Sequence, residues 1–201
     1  MIDPSKVTNF NRTRNELEEF ILFSIVVAGK SAYQQAEKLE EFLYPWRIQG
    51  YSPFQAIYAM DADRHALTLF LKDVKMGQYQ RISTAFRGIS YFFFPTSLDK
   101  EHPLKIAQIK TLECVKGIGM KTARFFALHS RPNQYLACLD THVLRWLGNK
   151  GHDVPKTTPS GARYLELEKL FLDYAKEMDM LPATLDLHIW NESQVGKVEK
   201  S

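Results

Sequence analysis

The 201-residue chain has only two cysteines, Cys114 and Cys138. Two thiols at that spacing make neither a zinc site nor a disulfide framework. Both are expected as small side chains packed in a core. The longest apolar run, residues 20–28, is too short to cross a bilayer. Glu16, Glu18 and Glu19 stand before it, where a secretory signal would carry basic residues. These absences predict a reduced, intracellular protein with no membrane partner. Charge of one sign is also scarce: the net charge is +3 and the pI about 8.7. That balance permits nucleic-acid binding without demanding it. No stretch alternates apolar and polar residues over the length of a strand, and no repeat or low-complexity segment occurs.

What the chain does have is helix punctuation around a 45% hydrophobic composition, enough for one globular unit or two small lobes. Residues 1–12 read as an irregular lead-in. Thr13 with Glu16 is a capping box, after which Leu17, Phe20, Ile21, Ser24 and Val27 fall at helical spacing, with Gly29 as the stop. Ser31 opens a second helix that Pro45 closes, and Ser52-Pro53-Phe54-Gln55 opens a third. A fourth begins at Asp63 and ends by Gly77, and a fifth buries Ile82, Ala85, Phe86 and Ile89. The aromatic stretch 91–94 reads as a helix end. One helix is expected over 103–114, another carries Lys121, and Asp140 caps the next, which ends at Gly148. A loop at 149–160 precedes a long helix with Leu165, Leu167, Leu170, Phe171, Tyr174 and Ala175, and a last one spans about 184–193. The fold class is all-α, with about ten helices.

The stretch 112–147 says most about function. Gly117-Ile118-Gly119 lies between two apolar helical patterns, with Lys121 just after it. Two glycines allow a tight reversal, and the helix that follows opens with free N–H groups and the positive end of its dipole. Such an end holds a phosphate, a contact that ignores base identity. About twenty residues later comes Leu139-Asp140-Thr141-His142.

Together these parts resemble the helix-hairpin-helix motif of the base-excision DNA glycosylases, the endonuclease III superfamily: an apolar helix, G-[IV]-G-x-K, a second helix, then [VL]-D-x-H. The hairpin alone is a weak signal, because other proteins use it only to hold DNA; the hairpin, lysine and aspartate together are specific. The resemblance implies a two-lobed fold. A six-helix barrel would span 29–135, with the hairpin at about 105–129, and a terminal lobe would combine 1–28 with 136–201. The cysteine cluster that holds an iron–sulfur centre at the end of endonuclease III has no counterpart here. Neither metal nor organic cofactor is expected.

By the same resemblance, Lys121 is the nucleophile of a bifunctional glycosylase/AP lyase, acting through a Schiff base and β-elimination. Asp140 is the carboxylate that activates the amine and stabilises charge on the sugar, a role compatible with capping a helix. His142 supports the site by a hydrogen bond. Lys116, Gly117, Gly119 and Arg145 face DNA phosphates, and Arg124 is a further candidate. Phe125, one helical turn after Lys121, can stack on an extruded base or serve as core. Asp186 and Trp190, four apart on the last helix, match the purine-facing pair of the archaeal 8-oxoguanine glycosylases, and the Gly29-Lys30 turn after the first long helix also resembles that group. Gln78 matches the residue that endonuclease III pushes into the gap left by the flipped nucleotide, and Lys30 lies by a second position that probes the opposite strand. The reading is an enzyme of base-excision repair acting as a monomer on double-stranded DNA that carries a damaged base, 8-oxoguanine first. The location that follows is the cytoplasm, at the nucleoid in a prokaryote. The alternatives are an endonuclease III-like enzyme for oxidised pyrimidines, suggested by Leu139-Asp140-Thr141-His142, and a non-catalytic hairpin module.

Overall fold

The computed structural model describes residues 1–61, 66–93 and 101–198, with side chains as far as Gln194 at that end. Among the described residues the regular structure is helical throughout. A 3-10 turn at Pro4–Lys6 precedes α1 Arg14–Val26, α2 Ala32–Arg47, α3 Pro53–Met60, α4 Ala66–Asp73 and α5 Tyr79–Phe93. Then come α6 Pro103–Ile106, α7 Ile109–Glu113, α8 Met120–Ser130, α9 Thr141–Asn149, α10 Gly161–Glu177 and α11 Pro182–Val198.

The capping boxes act as their spacing predicts. Thr13 N–H donates to Glu16 Oε2 (2.8 Å) while Thr13 Oγ1 accepts from Glu16 N–H (3.4 Å). Ser52 and Gln55 repeat the exchange around Pro53, the first residue of α3. Three expectations need correction. Pro45 does not close α2, which runs on to Arg47. The N–H that proline lacks would have met the carbonyl of Glu41, an exposed residue whose oxygen water can satisfy. The single helix expected over 103–114 is two, because Ala107 leaves the helical region at ψ 132. Cys138 is buried as expected, whereas Cys114, at the end of α7, is exposed. The start at Asp63 and the end of the aromatic stretch at Phe94 lie outside the described residues.

By packing, the chain falls into two compact units, Met1–Pro4 with Asn11–Phe126 and Ser5–Phe10 with Ala127–Ser201. The cut falls inside α8. Within the first unit α1 packs on α2, α3 and α5. That unit closes over Phe20, Phe54, Ile57, Leu67 and Phe86, all fully buried. A buried carboxylate ties it together: Glu18 accepts from Phe54 N–H (3.0 Å) and from His102 Nε2 (3.2 Å). Since His102 Nδ1 accepts from Leu104 N–H, the ring proton sits on Nε2. In the second unit α9 and α10 both pack on α11, around Leu147, Tyr164, Leu167, Phe171 and Leu185.

Candidate active site: the hairpin, its lysine and a capping carboxylate

The hairpin lies on α5. Gly117 has φ +94°, and a Cβ there would come 2.9 Å from Ala85 Cβ and 3.1 Å from the Arg81 carbonyl. A Cβ on Gly88 of α5 would in turn meet Val115 Cγ1 at 2.8 Å. The first hairpin glycine is therefore required twice over, by conformation and by space. Gly119 is required by neither: it is exposed, its φ is not left-handed, and nothing lies within 4 Å of its missing Cβ. What its small size provides is open space in front of the first turn of α8. Across the turn Arg124 of α8 pairs with Glu113 of α7 at 2.5 Å and is only 6% exposed. Arg124 is thus a buried brace of the hairpin and not a solvated face. Gly117→Ala should lower stability by about 2–4 kcal/mol through left-handed strain and overpacking on Ala85. Thermal unfolding measures this; an unchanged midpoint would show that α5 can yield.

Lys121 is the second residue of α8 and half-buried, and Lys116 is exposed. Phe125, one turn beyond Lys121, is also half-buried. Its ring lies 5.7 Å from that of Phe20 and 6.4 Å from that of Phe23. The guanidinium of Arg12 sits 3.7 Å from the centre of the Phe20 ring. Burial lowers Arg12 to about 10, against the opposing pull of Glu16 and Glu19, so it stays cationic at neutral pH. Phe125 is accordingly part of an aromatic cluster on α1 and only partly open to solvent.

The turn between α4 and α5 is a run of left-handed residues: Lys75 (φ +52°), Gly77 (φ +70°) and Gln78 (φ +48°). Two lysines hold its carbonyls, Lys30 Nζ on Met76 O (2.5 Å) and Lys38 Nζ on Lys75 O (2.9 Å). Burial, with Arg81 and Lys38 nearby, depresses the Lys30 pKa. Arg81 grips three segments. Its Nη2 donates to Ile25 O at the end of α1 (2.9 Å), its Nη1 reaches Gly117 O (3.4 Å), and its Nε donates to Gln78 Oε1 (2.6 Å). Lys30, Gln78 and the hairpin glycine are thus brought together, and Arg81, which the sequence reading passed over, joins the last two.

In the second unit Asp140 caps α9. Its Oδ1 accepts from both His142 N–H (2.8 Å) and Val143 N–H (2.9 Å), and Oδ2 takes part in neither bond. The extended segment before it is held group by group. Glu168 Oε1 accepts from Ala137 N–H (2.9 Å), and Tyr164 Oη donates to Ala137 O (2.7 Å). The same Oη accepts from Leu139 N–H (3.2 Å), while Thr158 Oγ1 donates to Leu139 O (3.0 Å). Tyr164 and Glu168, four apart on α10, are buried, and Leu165 points to solvent. Tyr164→Phe would strand a buried C=O and a buried N–H at once. It should cost about 2–4 kcal/mol in urea unfolding, and a loss below about 0.5 kcal/mol would mean that water replaces the hydroxyl.

His142 follows Asp140 by two residues and is half-buried, and Arg145 of α9 is exposed. Asp186 of α11 is buried, with Oδ2 3.0 Å from His129 Nε2. The His129 ring is held on its other side by Thr8 Oγ1 at 2.8 Å from Nδ1. Trp190, one turn after Asp186, is half-buried. Sequence reasoning missed Arg81, Tyr164, Glu168, Thr158 and His129. Only Tyr164 and Glu168 had a signal, as an i, i+4 pair on the apolar face of a helix. Among the described residues no three His, Cys, Asp or Glu side chains gather to hold a metal, and no helix is long and apolar enough to cross a membrane.

These features define an all-α protein of the helix-hairpin-helix class. The family model for 8-oxoguanine DNA glycosylase matches residues 63–180, more than half of the chain, so the chain belongs to that family. It is 36% identical over 98 residues to the 8-oxoguanine DNA glycosylase/AP lyase of Methanocaldococcus jannaschii, covering 48% of this chain and 46% of that protein. It is 36% identical over 89 residues to the enzyme of the same description from Picrophilus torridus, covering 44% and 42%. The match thus spans less than half the length of those relatives. The crystal structure of the 8-oxoguanine DNA glycosylase of Thermotoga maritima superposes with a TM-score of 0.65 at 22% identity, over 93% of this chain and 85% of that one, a likeness of fold.

Proposed function

We propose that this protein is a bifunctional DNA glycosylase/AP lyase of base-excision repair that removes 8-oxoguanine from double-stranded DNA. One observation carries the reading. Within the family-matched segment a lysine stands in the first turn of the helix after Gly117-Ile118-Gly119, and Asp140 caps α9 through one oxygen only. The Lys121 amine attacks the sugar carbon that bears the base, and the base leaves with the bonding electrons. Asp140, through Oδ2, takes up a proton from the attacking amine and stabilises the positive charge that develops on the sugar. Loss of the amine's remaining proton and ring opening give the imine. It acidifies the adjacent C–H, and the 3′ phosphate departs by β-elimination. Lys116, the hairpin glycines and Arg145 hold phosphates. The flipped purine stacks on Phe125 and meets Asp186 and Trp190 on α11. His129 holds the Asp186 carboxylate in place for that contact. A six-helix barrel with a second lobe, action as a monomer and independence from metal and cofactor belong to the same proposal.

The test compares initial rates on three duplexes carrying 8-oxoguanine, thymine glycol or an abasic site. An oxidised guanine adds an N7–H donor, and a pocket acceptor left unmatched costs roughly 1–3 kcal/mol, or about 5- to 150-fold in rate. Excision of 8-oxoguanine should exceed that of thymine glycol by a factor in that range. Faster release of thymine glycol would make the enzyme one for oxidised pyrimidines and end the purine-pocket assignment. Cleavage of none of the three would leave a hairpin module that only binds.

A further inference from the structure

We propose that Arg81 is a positioning residue that fixes Gln78 as a hydrogen-bond donor toward the base facing the lesion, so that the turn before α5 reads an acceptor there and not a donor. The inference rests on the function proposed above and adds to it a residue and a polarity. Gln78 is exposed, and its backbone is left-handed, a conformation that non-glycine residues rarely adopt and that sets the direction of its side chain. Its amide has two faces, oxygen and NH2, which free rotation would exchange. Arg81 forbids the exchange: a guanidinium has donors only, so the group 2.6 Å from Arg81 Nε is the amide oxygen. The NH2 then faces away with both hydrogens to offer. Arg81 itself has little freedom, because two backbone carbonyls, Ile25 O and Gly117 O, hold the rest of its guanidinium, and the group is half-buried. Burial lowers its pKa, yet it remains a cation. The same guanidinium touches the hairpin, so Gln78 stands beside the element that would grip the DNA backbone. A base that has lost its partner presents its pairing edge. Cytosine shows two adjacent acceptors, O2 and N3, to which a fixed NH2 can donate.

The experiment measures equilibrium binding to duplexes that carry a tetrahydrofuran abasic analogue opposite either cytosine or a non-polar pyrimidine isostere of the same shape. Wild-type protein should prefer cytosine by roughly fivefold, the worth of one hydrogen bond. Gln78→Glu keeps an acceptor for Arg81 and removes the outward donor, so the preference should disappear or reverse. Arg81→Met frees the amide to rotate, and the ratio should fall toward one while affinity for the isostere duplex changes less. Thermal unfolding of each variant confirms a folded protein, and Gln78→Glu carries the test should Arg81→Met fail to fold. A wild-type ratio of one, or a full ratio in Gln78→Glu, overturns the inference while leaving the glycosylase reading intact. Failure of the wild type to bind either duplex overturns both.

Discussion

Lys121→Gln is expected to abolish covalent trapping by borohydride and to reduce strand cleavage at an abasic site to the uncatalysed level, while lesion-containing DNA still binds. An amide nitrogen cannot form an imine, so no Schiff base exists to be reduced. The substitution leaves the rest of the hairpin in place. Gly117 still lies on Ala85, Arg124 still pairs with Glu113, and glutamine is a helix former comparable with lysine. Lys121 is half-buried in the first turn of α8, where a change of this kind alters stability by about 0.5 kcal/mol or less. Loss of activity can therefore be attributed to the amine and not to the fold. Trapping at the wild-type level by the variant would remove Lys121 from the mechanism and direct attention to another amine.

Asp140→Asn should slow base excision by on the order of 10²–10⁴-fold, the range for a positioned general acid or base. The folded state should lose less than about 1 kcal/mol, because asparagine caps a helix nearly as well and forgoes only the charge–dipole attraction. The geometry explains why these two effects separate. Oδ1 alone receives the His142 and Val143 N–H groups, and an asparagine oxygen can receive them as well. Oδ2 is then replaced by NH2, which neither takes a proton nor balances a developing cation. Single-turnover excision, read beside urea unfolding of the same preparation, measures both quantities. A rate within a few-fold of wild type would leave Asp140 as a cap and nothing more.

Much of this was legible before the fold was known. Thr13 with Glu16, Ser52 with Gln55, and Asp140 all cap helices where their spacing places them, because capping is a contact between residues two or three apart. The hairpin could be read for the same reason. Misreadings came where a local rule meets solvent. Proline ends helices on average, but Pro45 sits on the wet side of α2, where a missing bond costs little. On α10 helical spacing marked the leucines and aromatics but not which of them face the core: Leu165 is exposed, while Tyr164 and Glu168 are buried because their partners are the backbone groups of Ala137 and Leu139.

By itself, then, the sequence determined the helical class, the capped starts of α1, α3 and α9, and the hairpin with Lys121 after it. Each depends on chemistry within one or two turns of chain. Only the tertiary structure decided that Gly117 is needed for close packing on α5 and Gly119 is not, and that Arg124 braces the hairpin. It alone gave Arg81 its three carbonyl partners and Asp140 its frame of Thr158, Tyr164 and Glu168. Those partners lie 19 to 56 residues away along the chain, except for Gln78. Several are backbone oxygens and nitrogens, which every residue carries and no sequence pattern can mark.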